Sequence, residues 1–193
     1  MASGPYTTTE EFVSQFLDKT SGSNPGWFTF AVIDKTRPRS AEDEEGELAG
    51  MMSFMDTSTL HLSTEIGCIV ILPKYQRTHV TTNAVGLMLQ FAFAAPEYGG
   101  MGLRRVQWKT SSMNTASIKT AERLGFRKEG VLRWHMVFRG GEERQKVGNG
   151  RVLPPGSGRG DYGRDTVVLG LCWDDWWEGG GREKVEGLMA RGK

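Results

Sequence analysis

Thr64-Glu65-Ile66-Gly67-Cys68-Ile69-Val70-Ile71, followed by Pro73-Lys74-Tyr75-Gln76-Arg77-Thr78-His79-Val80-Thr81, is the stretch that decides how this chain folds. The first run reads as a strand, and its part from Ile66 to Leu72 is so nearly all apolar that it suits a central strand covered on both faces. The second is a polar turn. It opens into a helix from Thr82 to about Ala94, apolar on Val85, Met88, Leu89 and Ala92 and again on Ala84, Leu87 and Phe91, and so expected to be buried over most of its circumference. Pro96 and Gly99-Gly100 end it. Arg105-Val106-Gln107-Trp108-Lys109 then alternates as a strand does. Asn114-Thr115-Ala116-Ser117 opens a second helix with Ile118, Ala121 and Leu124 facing inward and Gly125 as its stop. A polar turn that runs straight into a helix leaves first-turn N–H groups without carbonyl partners at the positive end of the helix dipole. That is an anion site suited to phosphate.

Outward from this stretch, Thr8 or Thr9 with Glu10-Glu11 starts a short amphipathic helix that carries Phe12, Phe16 and Leu17 and ends near Lys19. Ser21 to Gly26 is a loop and Trp27 to Ile33 a strand. Arg37 to Glu47 is polar and acidic, the connection of a hairpin with a long, mobile, solvated loop, before Leu48 to Phe54 resumes strand character and Leu60 to Ile71 follows as the next strand. Val131 to Phe138 and Thr166 to Cys172 are further strands. Between them Gly140 to Gly163, rich in Gly, Arg and Pro and without period, reads as a flexible excursion inserted at a hairpin tip. These elements predict one domain over 1–178, and a tail or short helix over 179–193.

At 193 residues the chain can bury one sizeable core, and its formal net charge of +1 gives no field that would favour nucleic acid or an anionic membrane. The Gly/Arg-rich stretch to Arg164 is the feature that could meet RNA. Cys68 and Cys172 both lie in apolar, strand-like runs, where a thiol usually behaves as a small hydrophobe, so a reducing compartment fits. The N-terminus has neither a basic start nor an apolar run, and nowhere do about 18 apolar residues follow one another. A soluble protein, cytoplasmic with the nucleus not excluded, is expected.

The string Glu65-Ile66-Gly67, Tyr75-Gln76, Thr82-Asn83-Ala84, Asn114-x-x-Ser117 and Arg123-Leu124-Gly125-Phe126 resembles the core of the GCN5-related N-acetyltransferases. The resemblance runs from Thr29 to Trp176 and is nearest to the branch that includes the ribosomal-protein alanine acetyltransferases. It implies an α/β fold: a mixed, mostly antiparallel sheet whose central strands splay, with helices on both faces. It further implies acetyl-CoA as donor, no metal, and as acceptor a primary amine, either a small molecule or a protein N-terminus, with the small amine favoured. Relatives carry a first strand and helix before the segment matching Gly4-Pro5-Tyr6, where this chain begins. The expected sheet therefore lacks that edge, as a shortened form or as one whose gap a partner subunit fills, for example in a homodimer.

The same resemblance assigns candidate roles. Gln76, Arg77, Thr78, His79, Val80, Thr81 and Thr82 stand at the pyrophosphate loop. His79 and Thr81 occupy places where the family has glycine and a small residue, and Arg77 and Thr78 add a guanidinium and a hydroxyl. The alternative for this loop is a solvated surface turn. Ile69, Val70 and Ile71 would line the cofactor, with a backbone N–H near Ile69 or Ile71 supporting the oxyanion. Asn114 and Ser117 would contact the pantetheine arm, although Asn114 is also a natural N-cap that Ser117 could complete. The family's general-acid Tyr position is Ala121 here, which leaves Ser117 as the nearest proton donor.

An alkyl amine is mostly ammonium at pH 7, so a base is needed. Glu65, at the edge of a buried strand where its pKa should rise, is the first candidate, with an ion pair to a Lys or Arg as the structural alternative. His135 is the second candidate base, or simply a hydrogen-bonded residue on its strand. Neither Cys has a His or Asp companion at suggestive spacing, so transfer is expected to be direct. Trp27, Trp108 and Trp134, with Phe138, could wall an acceptor pocket or belong to the core. Arg133, Arg164 and Asp165 would form an inter-strand ion pair or touch substrate. The competing reading is a non-catalytic acyl-CoA-binding or oligomeric interaction protein on the same fold.

Overall fold

The computed structural model describes residues 6–39 and 44–191. Six strands form one sheet: β1 (Phe28–Asp34), β2 (Glu47–Ser58), β3 (Ser63–Ile71), β4 (Arg105–Ser111), β5 (Arg127–Phe138) and β6 (Tyr162–Cys172), in the spatial order β1-β2-β3-β4-β6-β5. Every neighbouring pair is antiparallel except β3 and β4. The helices are α1 (Thr9–Phe12), prolonged by a wider turn over Val13–Leu17, then α2 (Val80–Phe93), α3 (Thr115–Arg123), α4 (Trp173–Trp177) and α5 (Gly181–Ala190). This is the expected mixed, mostly antiparallel sheet.

Strand alternation sets the two faces. Phe54 of β2, Ile66 of β3, Val106 and Trp108 of β4 and Val167, Leu169 and Leu171 of β6 are buried with Leu89 of α2, Leu124 and Trp176. Arg123 of α3 donates to Thr82 Oγ1 at 3.0 Å, and Val185 of α5 joins the same core, so the last helix docks. Its place is made by Gly86, where a Cβ would lie 2.3 Å from Met189 Sδ. On the opposite face lie Glu65, Lys109 and the α1 segment, whose Phe16 meets Trp27 edge-on at 6.3 Å. Thr8 caps α1 by accepting from Glu11 N at 3.1 Å, as the Thr-x-x-Glu spacing predicts.

Some boundaries differ from the sequence reading, β5 beginning at Arg127 and β6 at Tyr162 among them. Leu60 to Leu62 belong to the β2–β3 turn, because β2 continues to Ser58 and pairs it with Ser63; Leu62 takes φ +48° and Leu60 is 81% exposed. α2 begins at Val80, two residues early, so Val80 and Thr81 form its first turn. Of the acidic connection Arg37 to Glu47, residues 40–43 lie outside the described residues.

Residues 140–161 have no regular structure, yet they are hydrogen-bonded in place. Asp161 accepts from Gly140 N at 2.8 Å and from Arg139 Nη1 at 2.8 Å, and Asn149 N donates to Gly163 O at 2.8 Å. The Gly140 N–H, with Arg139, holds the Asp161 carboxyl below its ordinary pKa. The tether is therefore present above the usual carboxylate range and lost as pH falls through the depressed value. Asp161→Asn is expected to lower amide protection factors across 140–160 at neutral pH; unchanged protection would show that the segment is held by other contacts.

Candidate active site

β3 and β4 pair only at Ser63–Arg105, Thr64–Val106 and Glu65–Gln107. Beyond Glu65 they part, β3 remaining with β2 up to Ile71 and β4 with β6 through Ser111. The N–H and C=O groups of β3 that face β4 past this point have no ladder partner. A bulge sharpens the divergence. Between Met51–Val70 and Ser53–Gly67 the step on β3 is one residue longer than on β2, and Cys68 sits at φ +47°.

A cleft of about 840 Å³ opens along this parting, lined by residues of β3, β4, α3, β5, β6, the α1 segment and the 140–161 segment. At its edge Glu65, 4% exposed, meets Lys109 Nζ at 2.7 Å, and Lys109 also lies 3.5 Å from Asp56. Burial raises the Glu65 pKa, and Lys109 opposes the rise. The Lys109 ammonium is the cation set against Oε2. Glu65 is thus both of the things its position allowed, an ion-paired residue and a buried carboxylate facing a cleft.

On the other wall, Asn114 Oδ1 accepts from Ser117 N at 3.1 Å as the α3 cap, and Ser117 Oγ accepts from Trp108 Nε1 at 2.9 Å. Indole N–H is a donor only, so the Ser117 hydroxyl proton is left to point elsewhere. Cys68 lines the same cleft, and burial pushes its thiol up to about 11, which keeps it protonated and poorly nucleophilic.

A second bulge, on β5, places His135. Leu132 pairs with Thr166 and Met136 with Arg164, so three β5 residues oppose Asp165 alone. Asp165 accepts from Trp134 N at 2.8 Å and from Asn149 Nδ2 at 2.9 Å, and it pairs with Arg151 at 3.4 Å rather than with Arg164. His135 turns into the cleft, its Nδ1 3.0 Å from Thr166 Oγ1. Trp134, at φ +54°, turns out under the Arg151 guanidinium. Trp27 and Trp108 line the cleft; Trp134, expected there, does not, because the bulge reverses its side.

Ile69 lines the cleft, and Val70 and Ile71 lead from it to the loop at Gln76. There Gln76 Nε2 donates to Ile71 O at 3.0 Å, Arg77 is exposed at φ +62°, and Thr78 Oγ1 donates to Tyr75 O at 2.6 Å. The α2 ladder starts with Asn83 N donating to His79 O, so the N–H groups of Thr81 and Thr82 precede it. His79, standing where a glycine was expected, has its ring drawn to the buried Asp34 at 3.3 Å. These residues fit a diphosphate: first-turn amides, an Arg and a hydroxyl at the end of the parted strands.

The sequence pass missed four features: Asp56, the Asp34–His79 contact, both bulges, and the part that Gln145, Lys146 and Val147 take in the cleft. Lys109 was legible, since alternation with Gln107 puts it on the Glu65 face once the strands pair.

The profile of the acetyltransferase (GNAT) domain matches residues 1–127. The chain belongs to the GNAT acetyltransferase family. Its likeness to individual GNAT proteins is more distant. It is 31% identical over 94 residues to the uncharacterized N-acetyltransferase YoaA of Bacillus subtilis, covering 49% of this chain and 50% of that protein. It is 26% identical over 116 residues to spermidine N(1)-acetyltransferase of Escherichia coli, covering 60% and 59%. The chain thus spans half to three-fifths of the length of these relatives. Among solved structures, a GCN5-related N-acetyltransferase from Brucella melitensis superimposes with a TM-score of 0.71 at 27% identity, covering all of this chain and 73% of that one. The GNAT profile covers β1 to β4 and α1 to α3, which hold Glu65, the loop at Gln76 and Asn114. The rest of the cleft lining, from β5 and β6, lies beyond it.

Proposed function

We propose that this GNAT chain moves an acetyl group from acetyl-CoA to a primary amine by direct transfer. The observation that carries the reading is the parting of β3 and β4 immediately after Glu65, which sets a buried carboxylate and unpaired strand N–H groups beside one gap. Bound acetyl-CoA supplies the electrophilic thioester. Gln76 to Thr82 would hold its phosphates through the α2 amides, Arg77 and Thr78, and Asn114 and Ser117 would flank its arm. Glu65 takes the proton from the amine, directly or through water, with His135 as the other base within the cleft. An N–H of β3 near Ile69 or Ile71 donates to the carbonyl oxygen as charge develops there. Ser117 Oγ, already accepting from Trp108, would donate a hydrogen bond to the departing thiolate, which takes up its proton from water. The thiol character of Cys68 supports direct transfer rather than an acyl-enzyme.

The acceptor is a small amine or a protein N-terminus. The strings Arg133-x-His135 and Arg164-Asp165-Thr166 support the ribosomal-protein alanine acetyltransferase branch. Among the described residues no helix is long and apolar enough to cross a membrane, and both cysteines are free thiols, which supports a cytoplasmic setting. Thiol release from acetyl-CoA, followed across a panel of small amines and short peptides with mass analysis of products, tests the reaction. Amine-dependent release with a mass gain of one acetyl group is expected. Binding of acetyl-CoA without release for any amine would favour the acyl-CoA-binding alternative.

A further inference from the structure

Two buried polar atoms along the cleft are not satisfied by the protein itself. Trp27 Nε1 and Arg164 Nε are buried without a hydrogen-bond partner, and both residues line this one cleft. Natural folds leave few such atoms, because each costs the desolvation it never recovers. Both are donors.

The charges are arranged in the same sense. Glu65 and Asp56 share Lys109, which leaves that end of the cleft with an excess of negative charge. Arg164 lies over the Phe138 ring at 5.8 Å, and among the described residues no carboxylate comes within ion-pair distance of it or of Lys146. Burial lowers the pKa of both, with Arg144 adding to the fall at Lys146 and the Glu65 carboxylate opposing it at Arg164. None of the residues from Gln76 to Thr82 lines this cleft, so the phosphate loop is a separate place. β6 alternation puts Arg164 on the face of Thr166, which is opposite that of Val167, Leu169 and α2.

We propose that Arg164, with Lys146, forms an anion subsite in the acceptor cleft, so that the preferred acceptor amine carries a carboxylate or phosphate. The inference rests on the acetyltransferase reading above. The ammonium end of such an acceptor meets Glu65 and Asp56, and its anionic end meets Arg164 and Lys146, which gives the unpartnered Arg164 Nε an acceptor. A polyamine would match the first end but set positive charge against Arg164 and Lys146.

The test compares acetylation of L-alanine with L-alaninamide, L-phenylalanine with its amide, and glucosamine 6-phosphate with glucosamine, with spermidine alongside, each rate corrected for the fraction of free amine. The anionic member of at least one pair is expected to be preferred in kcat/KM by about 10- to 100-fold. Preference within the amino-acid pairs identifies a carboxylate, and preference within the sugar pair a phosphate. Arg164→Gln should remove the preference through KM, while Arg164→Lys keeps part of it; acetyl-CoA affinity reports that the variants are folded. Equal rates within every pair, a preference for spermidine, or an Arg164→Gln enzyme with unchanged selectivity would overturn the inference while leaving acetyl transfer standing. If no amine is acetylated, the acetyltransferase reading is what fails. The subsite is then decided by calorimetry of N-acetyl-L-alanine, its amide and glucosamine 6-phosphate on the CoA-loaded protein. Binding of an anionic probe that is lost in Arg164→Gln sustains it, and no binding of either anion refutes it.

Discussion

Glu65→Gln is expected to lower kcat by about 10²- to 10³-fold, within the usual range for loss of a general base, with acetyl-CoA affinity retained. Glu65 occupies the last paired position before β3 and β4 part, with 4% exposure and the Lys109 ammonium against one oxygen. Burial favours the neutral acid and raises the pKa, Lys109 at 2.7 Å favours the carboxylate, and the net direction is upward. A base acts when deprotonated, so the rate of the native enzyme should fall as pH drops through this raised pKa, and the limb should be absent in Glu65→Gln. Lys109→Met removes the larger of the two cations that oppose burial, the other being Arg164, and should move the limb to higher pH.

The same shift has the opposite sign for stability. A folded-state pKa above the unfolded value means that the stabilising contribution of Glu65 is full below the unfolded pKa and is lost as pH rises through the folded one. Glutamine is then well tolerated by the fold at neutral pH apart from the lost ion pair. A Glu65→Gln protein with unchanged kcat and a lowered Tm would show that the residue is structural and direct attention to His135.

Gly50→Ala is expected to cost about 3 kcal/mol, at the upper end of overpacking penalties, and to lower Tm by roughly 6–12 °C for a chain of this size. A Cβ at Gly50 would lie 2.1 Å from Val70 O and 3.0 Å from Ile71 Cα, all backbone atoms of the neighbouring strand. No rotamer change can relieve that contact, so β2 and β3 must separate. They would separate next to the Cys68 bulge, so weaker acetyl-CoA binding should accompany the lost stability. A Tm unchanged within a degree or two would mean that β3 runs differently past β2.

The elements whose side chains follow a period were legible in the sequence. The apolar run from Ile66, the alternation of Val106 and Trp108, the α3 stripe through Ala121 and the Asn114 cap all appear where their patterns put them. What the pattern could not show depends on irregular backbone. Cys68 and Trp134 take positive φ without being glycine, so neither bulge announces itself, and the second reverses Trp134 away from the cleft. Leu60 and Leu62 look like strand residues and are a turn, because hairpin register outweighs local propensity. The Gly-rich segment reads as free excursion since its anchor, Asp161, is a single carboxylate at its end. Lys146 reaches the cleft only through that fold-back.

The central claim is that the gap between β3 and β4, with the loop from Gln76 to Thr82 at its end, takes acetyl-CoA although His79 and Thr81 stand where glycine and a small residue were expected. Calorimetric titration of the purified chain with acetyl-CoA and with CoA tests it most directly. One site per chain with micromolar affinity for both is the predicted result, and absence of heat and of competition by CoA at millimolar concentration would contradict it.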